Sequence, residues 1–187
     1  RIPLNNAISP ADNAQKYFKD YKKSYTAEQI LFKLIDDSEN ELRYIDSVLD
    51  SLSRAESVAE LEAVRTELIE TGYLKRSKSK IKRVVKQFAL RNVLSPTGYN
   101  IYVGRNNRQN DELTLKIASK SDIWLHTKNY PGSHVIIECN GSIPDDETIA
   151  FAAGIAAFYS KARESSAVPV DYCFVKYVKK PSGARPG

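Results

Sequence analysis

The chain has 187 residues, 42% of them hydrophobic, with 11 Tyr and 6 Phe, enough to bury a real core and to exclude wholesale disorder. Its formal net charge of +5 hides a split: residues 1–74 carry 9 basic and 14 acidic side chains, a net of −5, whereas residues 75–187 carry 19 and 9, a net of +10. No run approaches the roughly 18 uninterrupted apolar residues of a membrane span, and no secretory signal pattern opens the chain, so membrane insertion is not expected. The length suits one domain with an extension or two small domains, and the charge break favours two. With no Met and an opening Arg1-Ile2-Pro3, the chain is expected to be a piece of a longer protein.

The first element is a helix. Ser9 before Pro10, with Asp12 three residues after the Ser, supplies a side-chain cap, a proline whose missing N–H is not needed, and an acid in the first turn. Positions 31, 35, 38, 42, 45, 49 and 52 are Leu, Ile, Ser, Leu, Ile, Leu and Leu, the fours-and-threes spacing of a coiled-coil seam. A second helix starts at Ser57, where Glu60 completes a capping box, and shows Val58, Leu61, Val64 and Leu68 on one face. Gly72 fits its C-terminal cap. At 1.5 Å per residue the first helix, of about 45 residues, reaches about 65 Å, far more than the second can shadow. The unmatched stretch with Tyr17, Phe18, Tyr21 and Tyr25 needs another partner, either the chain's own globular half or a bound molecule.

Residues 75–110 then hold ten Lys or Arg and not one Asp or Glu. Such a run is either a solvated linker or a contact for a polyanion. It leads into a turn, Ser95-Pro96-Thr97-Gly98, and an apolar strand over residues 99–104. Asn110 or Asp111 can cap a short helix with Leu113, Ile117 and Ala118 inward, although Leu113, Leu115 and Ile117 also alternate as a strand would; helix is favoured. Two strands follow, residues 123–126 and 134–138, around a Pro131-Gly132 turn. A helix from Glu147 to about Arg163, Ala-rich in its middle, and a strand over residues 168–178 complete the pattern. The fold class expected is α+β: a long antiparallel helical hairpin, then a compact mixed α/β domain with a mainly antiparallel sheet. Cys139 and Cys173 read as small buried hydrophobes without a disulfide.

The stretches GRNNRQNDELTLKIASKSDIWLH, PGSHVII, AAFYSKAR and VDYCFVKYVKKPSGARPG resemble the NFACT-R domain, and SPADNAQKYFKDYKKSY with its coiled coil resembles the middle region of the same proteins. The family is the RqcH/NEMF group of ribosome quality-control factors, described in Gram-positive bacteria also as fibronectin-binding proteins of the FbpA type. The resemblance runs from about Ala7 to Gly187. It divides the chain into a helical hairpin over residues 1–74, a basic linker over 75–92 and an NFACT-R-like RNA-binding domain over 93–187. It implies a protein that binds large ribosomal subunits obstructed by peptidyl-tRNA and, with tRNA, promotes untemplated C-terminal alanine tailing. The residues attributed to tailing belong to a part of the family's architecture absent here, so no enzymatic activity is expected of this chain. The basic tract falls where the family's linker varies.

Within that frame the candidate nucleic-acid contacts begin with Lys78, Lys80, Lys82, Arg83 and Lys86 of the tract. Arg105 and Arg108 can pin phosphate oxygens, while Asn106, Asn107, Gln109 and Asn110 supply donors and acceptors for sugar or base edges, or else hold their own loop. Asp122, Trp124 and His126 alternate along a strand and share one side of it, as a base-stacking site with a hydrogen-bonding rim or as a packed core in which Asp122 satisfies His126. Lys128 and His134, at the ends of the adjoining turn, complete the set. Two histidines and two separated cysteines match no zinc pattern, and no nucleophile elbow or phosphate-binding glycine loop is present, so neither metal nor cofactor is expected. The expected partners are the large ribosomal subunit and tRNA, in the cytoplasm. The family's other description keeps a cell-surface adhesin for fibronectin or fibrinogen as the alternative.

Overall fold

The structure, a computed structural model, describes residues 2–75 and 89–187; Lys78, Lys80, Lys82, Arg83 and Lys86 lie outside the described residues. The chain divides inside its first helix, into a unit ending at Leu42 and a unit beginning at Arg43.

Helix α1 (Pro10–Ser53) starts as its cap dictates: Ser9 Oγ accepts the Asp12 N–H at 3.1 Å and donates to the Asp12 carboxylate at 2.6 Å. Asn13 is buried and laces the leading residues to the helix, donating to Asn5 O at 2.9 Å and accepting the Asn5 N–H at 2.8 Å. Tyr17, Phe18, Tyr21 and Tyr25 are exposed, with Tyr21 and Tyr25 stacked on each other at 6.2 Å.

In the second unit the last turns of α1 run antiparallel to α2 (Val58–Glu70), Tyr44 and Val48 packing on Val64 and Leu68. The expected capping box is present: the Glu60 N–H reaches Ser57 Oγ at 3.3 Å and the Ser57 N–H reaches Glu60 Oε2 at 2.9 Å. Thr71 caps the other end, and Gly72 follows with φ +88°, a conformation open to glycine. The expected seam is corrected. Leu31, Ile35, Leu42, Ile45, Leu49 and Leu52 are exposed, as are Val58 and Leu61, whereas the buried stripe of α2 is Glu60, Val64 and Glu67. A helix of 13 residues spans only about 20 Å, too short to shadow α1, and two of its three inward positions carry carboxylates that find partners across the packing interface.

Among the described residues five strands form one antiparallel sheet: β1 (Arg91–Leu94), β2 (Asn100–Val103), β3 (Ile123–Thr127), β4 (Val135–Ile137) and β5 (Val170–Phe174), in the order β1-β2-β4-β3-β5. Register puts Ile101, Ile137, Ile123 and Phe174 in one cross-strand row and Tyr102, Ile136, Trp124 and Cys173 in the next. The two rows face opposite sides because side chains alternate along a strand. Helix α4 (Asp146–Phe158) covers the first side through Ala152 and Ala156, whose small side chains allow close approach to Ile101, Val103, Leu125 and Val135. The second side is covered by Leu113 and Val175. Both cysteines are free.

Three local expectations shift. Helix α3 (Asn107–Glu112) is capped by Asn106 rather than by Asn110 or Asp111, and it continues into one wider turn over Leu113–Ile117 closed by the Ala118 N–H on Leu113 O at 2.8 Å. The extra residue in that turn breaks the 3.6 spacing, so Leu113 and Thr114 are buried while Ile117 is exposed. Helix α4 stops at Phe158, five residues early, because the β3–β4 turn takes the next backbone groups: Ser133 N–H bonds Tyr159 O and Lys161 N–H bonds Pro131 O, both at 2.9 Å. Strand β5 likewise ends at Phe174, where the Val175 N–H turns to Asp122 O at 2.9 Å.

Candidate nucleic-acid interface

The run after β2 is built around buried amides. Asn106 accepts the Gln109 N–H at 2.9 Å as the cap of α3, and Gln109 accepts the Arg105 N–H at 3.1 Å. Asn110 clamps the β3–β4 turn, accepting the His134 N–H at 3.0 Å and donating to Gly132 O at 3.2 Å. Asn107 points to α2 and donates to Glu67 Oε1 at 3.0 Å. All four side chains are buried, so their described bonds are spent inside the protein, on positioning. Arg108 is half-exposed and meets Glu70 at 3.3 Å. Arg105 pairs with Glu60 and, at 3.7 Å, with Glu56.

On the side of the sheet away from α4, the structure gathers Trp124, His126 and His134. Trp124 stacks on His126 with ring centres 5.8 Å apart, and His134 meets both edge-on, at 5.3 Å from Trp124 and 5.4 Å from His126. Thr114 Oγ1 lies 2.8 Å from His134 Nδ1. Burial pushes the His134 ring down to about 3, helped by the neighbouring His126, and burial lowers His126 as well. Both rings are therefore neutral at pH 7 and contribute stacking and ring-nitrogen bonds rather than charge. The Trp124 indole N–H is buried with no hydrogen-bond partner among the described residues.

Asp122 does not join this group. Its carboxylate accepts the Ser119 N–H at 2.7 Å and the Cys139 N–H at 3.0 Å, tying the turn before β3 to the end of β4, so His126 is not satisfied by it. Lys128 is exposed, 3.8 Å from Asp171. No cluster of three or more metal-ligating side chains occurs among the described residues.

Sequence reasoning missed a second convergence. Arg54, Arg91, Arg105 and Arg163 line one recess of about 230 Å³ with Glu56, Glu60, Phe158 and Tyr159. Only Arg91 and Arg105 stood in the basic run; Arg54 and Arg163 come from distant segments, and nothing in their spacing marks them.

The geometry can be set beside known proteins. A family model described as NFACT N-terminal and middle domains matches residues 1–87, and one described as NFACT protein RNA binding domain matches residues 91–182. The Rqc2 homolog RqcH of Bacillus subtilis (strain 168) is 45% identical over 188 residues, covering 100% of this chain and 32% of that protein. The Rqc2 homolog RqcH of Streptococcus suis (strain 05ZYH33) is 44% identical over 187 residues, covering 100% of this chain and 33% of that protein. The chain thus spans about a third of the length of these curated relatives. Among solved structures, the C-terminal part of the fibronectin/fibrinogen-binding protein from Streptococcus suis superposes with a TM-score of 0.85 at 43% identity, over 97% of this chain and 72% of that one.

Proposed function

From a chain that belongs to the NFACT family, we propose the RNA-contacting segment of a ribosome-associated quality-control factor, which binds obstructed large ribosomal subunits together with tRNA and supports C-terminal alanine tailing of stalled nascent chains. The observation that carries this reading is the RNA-binding-domain match over residues 91–182, on the half of the chain that holds the excess positive charge. In this reading the segment catalyses nothing itself, works in the cytoplasm, and uses α1 as an arm. No helix among the described residues is long and apolar enough to cross a membrane, which is compatible with it.

The test is sedimentation of this chain with purified large ribosomal subunits at low and near-physiological salt. Co-migration that falls steeply with salt is expected, because phosphate neutralisation releases counterions. Charge reversal at Lys78, Lys80 and Lys82 should weaken it; Arg105 is left alone because its loss would unpair Glu60. Absence of co-migration at both salts would overturn the reading. The name of the S. suis structure favours a second one, a surface adhesin. Saturable, sub-micromolar fibronectin or fibrinogen binding that survives physiological salt would support that instead, since a basic surface attracts acidic partners weakly in any case.

A further inference from the structure

We propose that the arginine recess between the α1–α2 connection and the end of α4 is a binding site for one unpaired RNA nucleotide, its phosphate held by Arg91 and Arg105 and its base laid on Phe158. The inference rests on the RNA-binding reading above and names the part of the molecule that would do the reading.

Arg54, Arg91, Arg105 and Arg163 reach the recess from separate segments, beside Glu56 and Glu60; Arg54 is buried against Asp50 at 2.7 Å and Arg163 meets Glu164 at 3.5 Å, so the pair placed for a ligand is Arg91 and Arg105. Those two carboxylates are held very differently. Glu60 has a side chain only 6% exposed and is fixed by the Glu56 and Ser57 N–H groups at 2.7 and 2.9 Å and by Arg105. It belongs to the cap of α2 and is not displaceable. Glu56 has a side chain 68% exposed, and its carboxylate rests between Arg91 at 3.1 Å and Arg105 at 3.7 Å. Two guanidiniums converging on one exposed oxyanion is the geometry a phosphodiester fits, since both anions present paired oxygens to planar donor forks. Exposed pairs of this kind contribute little, so a polyanionic strand displaces Glu56 cheaply.

The wall beside the arginines is aromatic. Arg91 lies over the Tyr159 ring, 4.6 Å from its centre, and also hydrogen-bonds the Tyr159 hydroxyl, so its guanidinium is held in place from two directions. Phe158 stands edge-on to Tyr159 at 4.9 Å and remains 64% exposed. An exposed ring beside fixed cations offers a stacking platform to a base, and only an unpaired base has a free face to place on it. The recess is too small for a duplex to enter. Single-stranded RNA is therefore the class of ligand that uses both walls.

The test measures anisotropy of a short labelled oligouridine and of a labelled blunt-ended RNA duplex with this chain at fixed low salt. Phe158→Ala should weaken oligouridine binding about tenfold, and Glu56→Gln should tighten it about threefold by removing the competing anion. The duplex should respond to neither. Both positions are exposed, so folding is not at stake, whereas Arg91→Gln is read only alongside its melting curve. Glu147→Gln, at the far end of α4, controls for the loss of one negative charge and should change nothing. If the wild-type chain binds oligouridine but Glu56→Gln and Phe158→Ala behave as Glu147→Gln does, the recess is not the site and the RNA-binding reading survives. If it binds neither RNA, both inferences fall together.

Discussion

Asn107 donates a hydrogen bond to Glu67 at 3.0 Å, fastening the first turn of α3 to the inward face of α2. The same carboxylate oxygen accepts the Tyr44 hydroxyl at 3.0 Å, so one buried glutamate joins the end of α1, α2 and α3. Burial drives the Tyr44 phenol up to about 12, with Glu67 adding to the shift, which keeps it a donor across the working pH range.

Replacing Glu67 separates its acceptor role from its charge. Glu67→Ala takes one of two acceptors from the Asn107 amide, which keeps Ser47 Oγ at 2.9 Å, removes the carboxylate that the Tyr44 hydroxyl meets, and should cost about 2 kcal/mol in a denaturant melt. Glu67→Gln keeps an acceptor oxygen in place and should cost much less at pH 7. Burial raises the Glu67 value, outweighing the bonds from Asn107 and Tyr44 that lower it. Below the ordinary glutamate range both folded and unfolded chains are protonated there, and the contribution to stability is complete. As pH rises from that range toward the raised folded value, the unfolded chain ionises first and the contribution is lost. Wild type should lose stability across that window relative to Glu67→Gln; parallel profiles would rule the account out.

The cap of α2 carries more than a helix end. Ser57→Ala removes the bond to the Glu60 N–H and should cost about 1 kcal/mol. Glu60→Ala should cost about 3 kcal/mol, because it releases two backbone N–H groups and leaves Arg105 without its buried partner. Urea melts of the two variants should rank in that order.

Gly104 has no room for a side chain. A Cβ there would stand 2.1 Å from Asn110 Oδ1 and about 3 Å from the Asn110 backbone, at 3.0 Å from its nitrogen and 3.1 Å from its Cα. Moving the amide would break its bond to the His134 N–H, and the backbone cannot yield. Gly104→Ala should therefore destabilise by roughly 1–3 kcal/mol, while Gly154→Ala, on α4 with open space at its Cβ, should be neutral or stabilising. Equal melting temperatures for the two would contradict the packing described.

How far the sequence discloses this arrangement depends on the kind of signal. The Ser9 cap, the Ser57–Glu60 capping box, the Pro-Gly turn and the alternation of Ile101, Val103, Ile123 and Leu125 are local, and the elements form where those signals stand. The inward face of α2 is not local: hydropathy selects Val58 and Leu61, yet Glu60 and Glu67 turn inward because Arg105, Tyr44 and Asn107 meet them. The polar run Asn106 to Asn110 reads equally as a ligand surface or as internal scaffolding, since an amide looks the same in either role until its partners are known. The recess is the extreme case, assembled from Arg54, Arg91, Arg105 and Arg163 across more than half the chain, which only the folded topology brings together.

The histidine pair gives a pH response of the opposite sign to Glu67. Folding depresses His134 to about 3 and lowers His126, chiefly by burial. Above the ordinary histidine value of 6.5 both states are neutral and this contribution is complete. As pH falls from there toward 3, the unfolded chain takes up protons that the folded chain refuses, and the stability is lost. Melting temperature should fall on acidification from neutral, and His134→Gln should flatten that fall even if its packing loss lowers the whole curve. Trp124 is the one tryptophan of the chain and stacks on His126, so its emission reports the same event directly. It should stay constant as pH falls through the ordinary histidine value, because burial moves the protonation of both rings below it. A quenching step near the ordinary histidine value, with secondary structure unchanged, would mean that His126 is open to solvent protons and that the aromatic layer is looser than its burial implies.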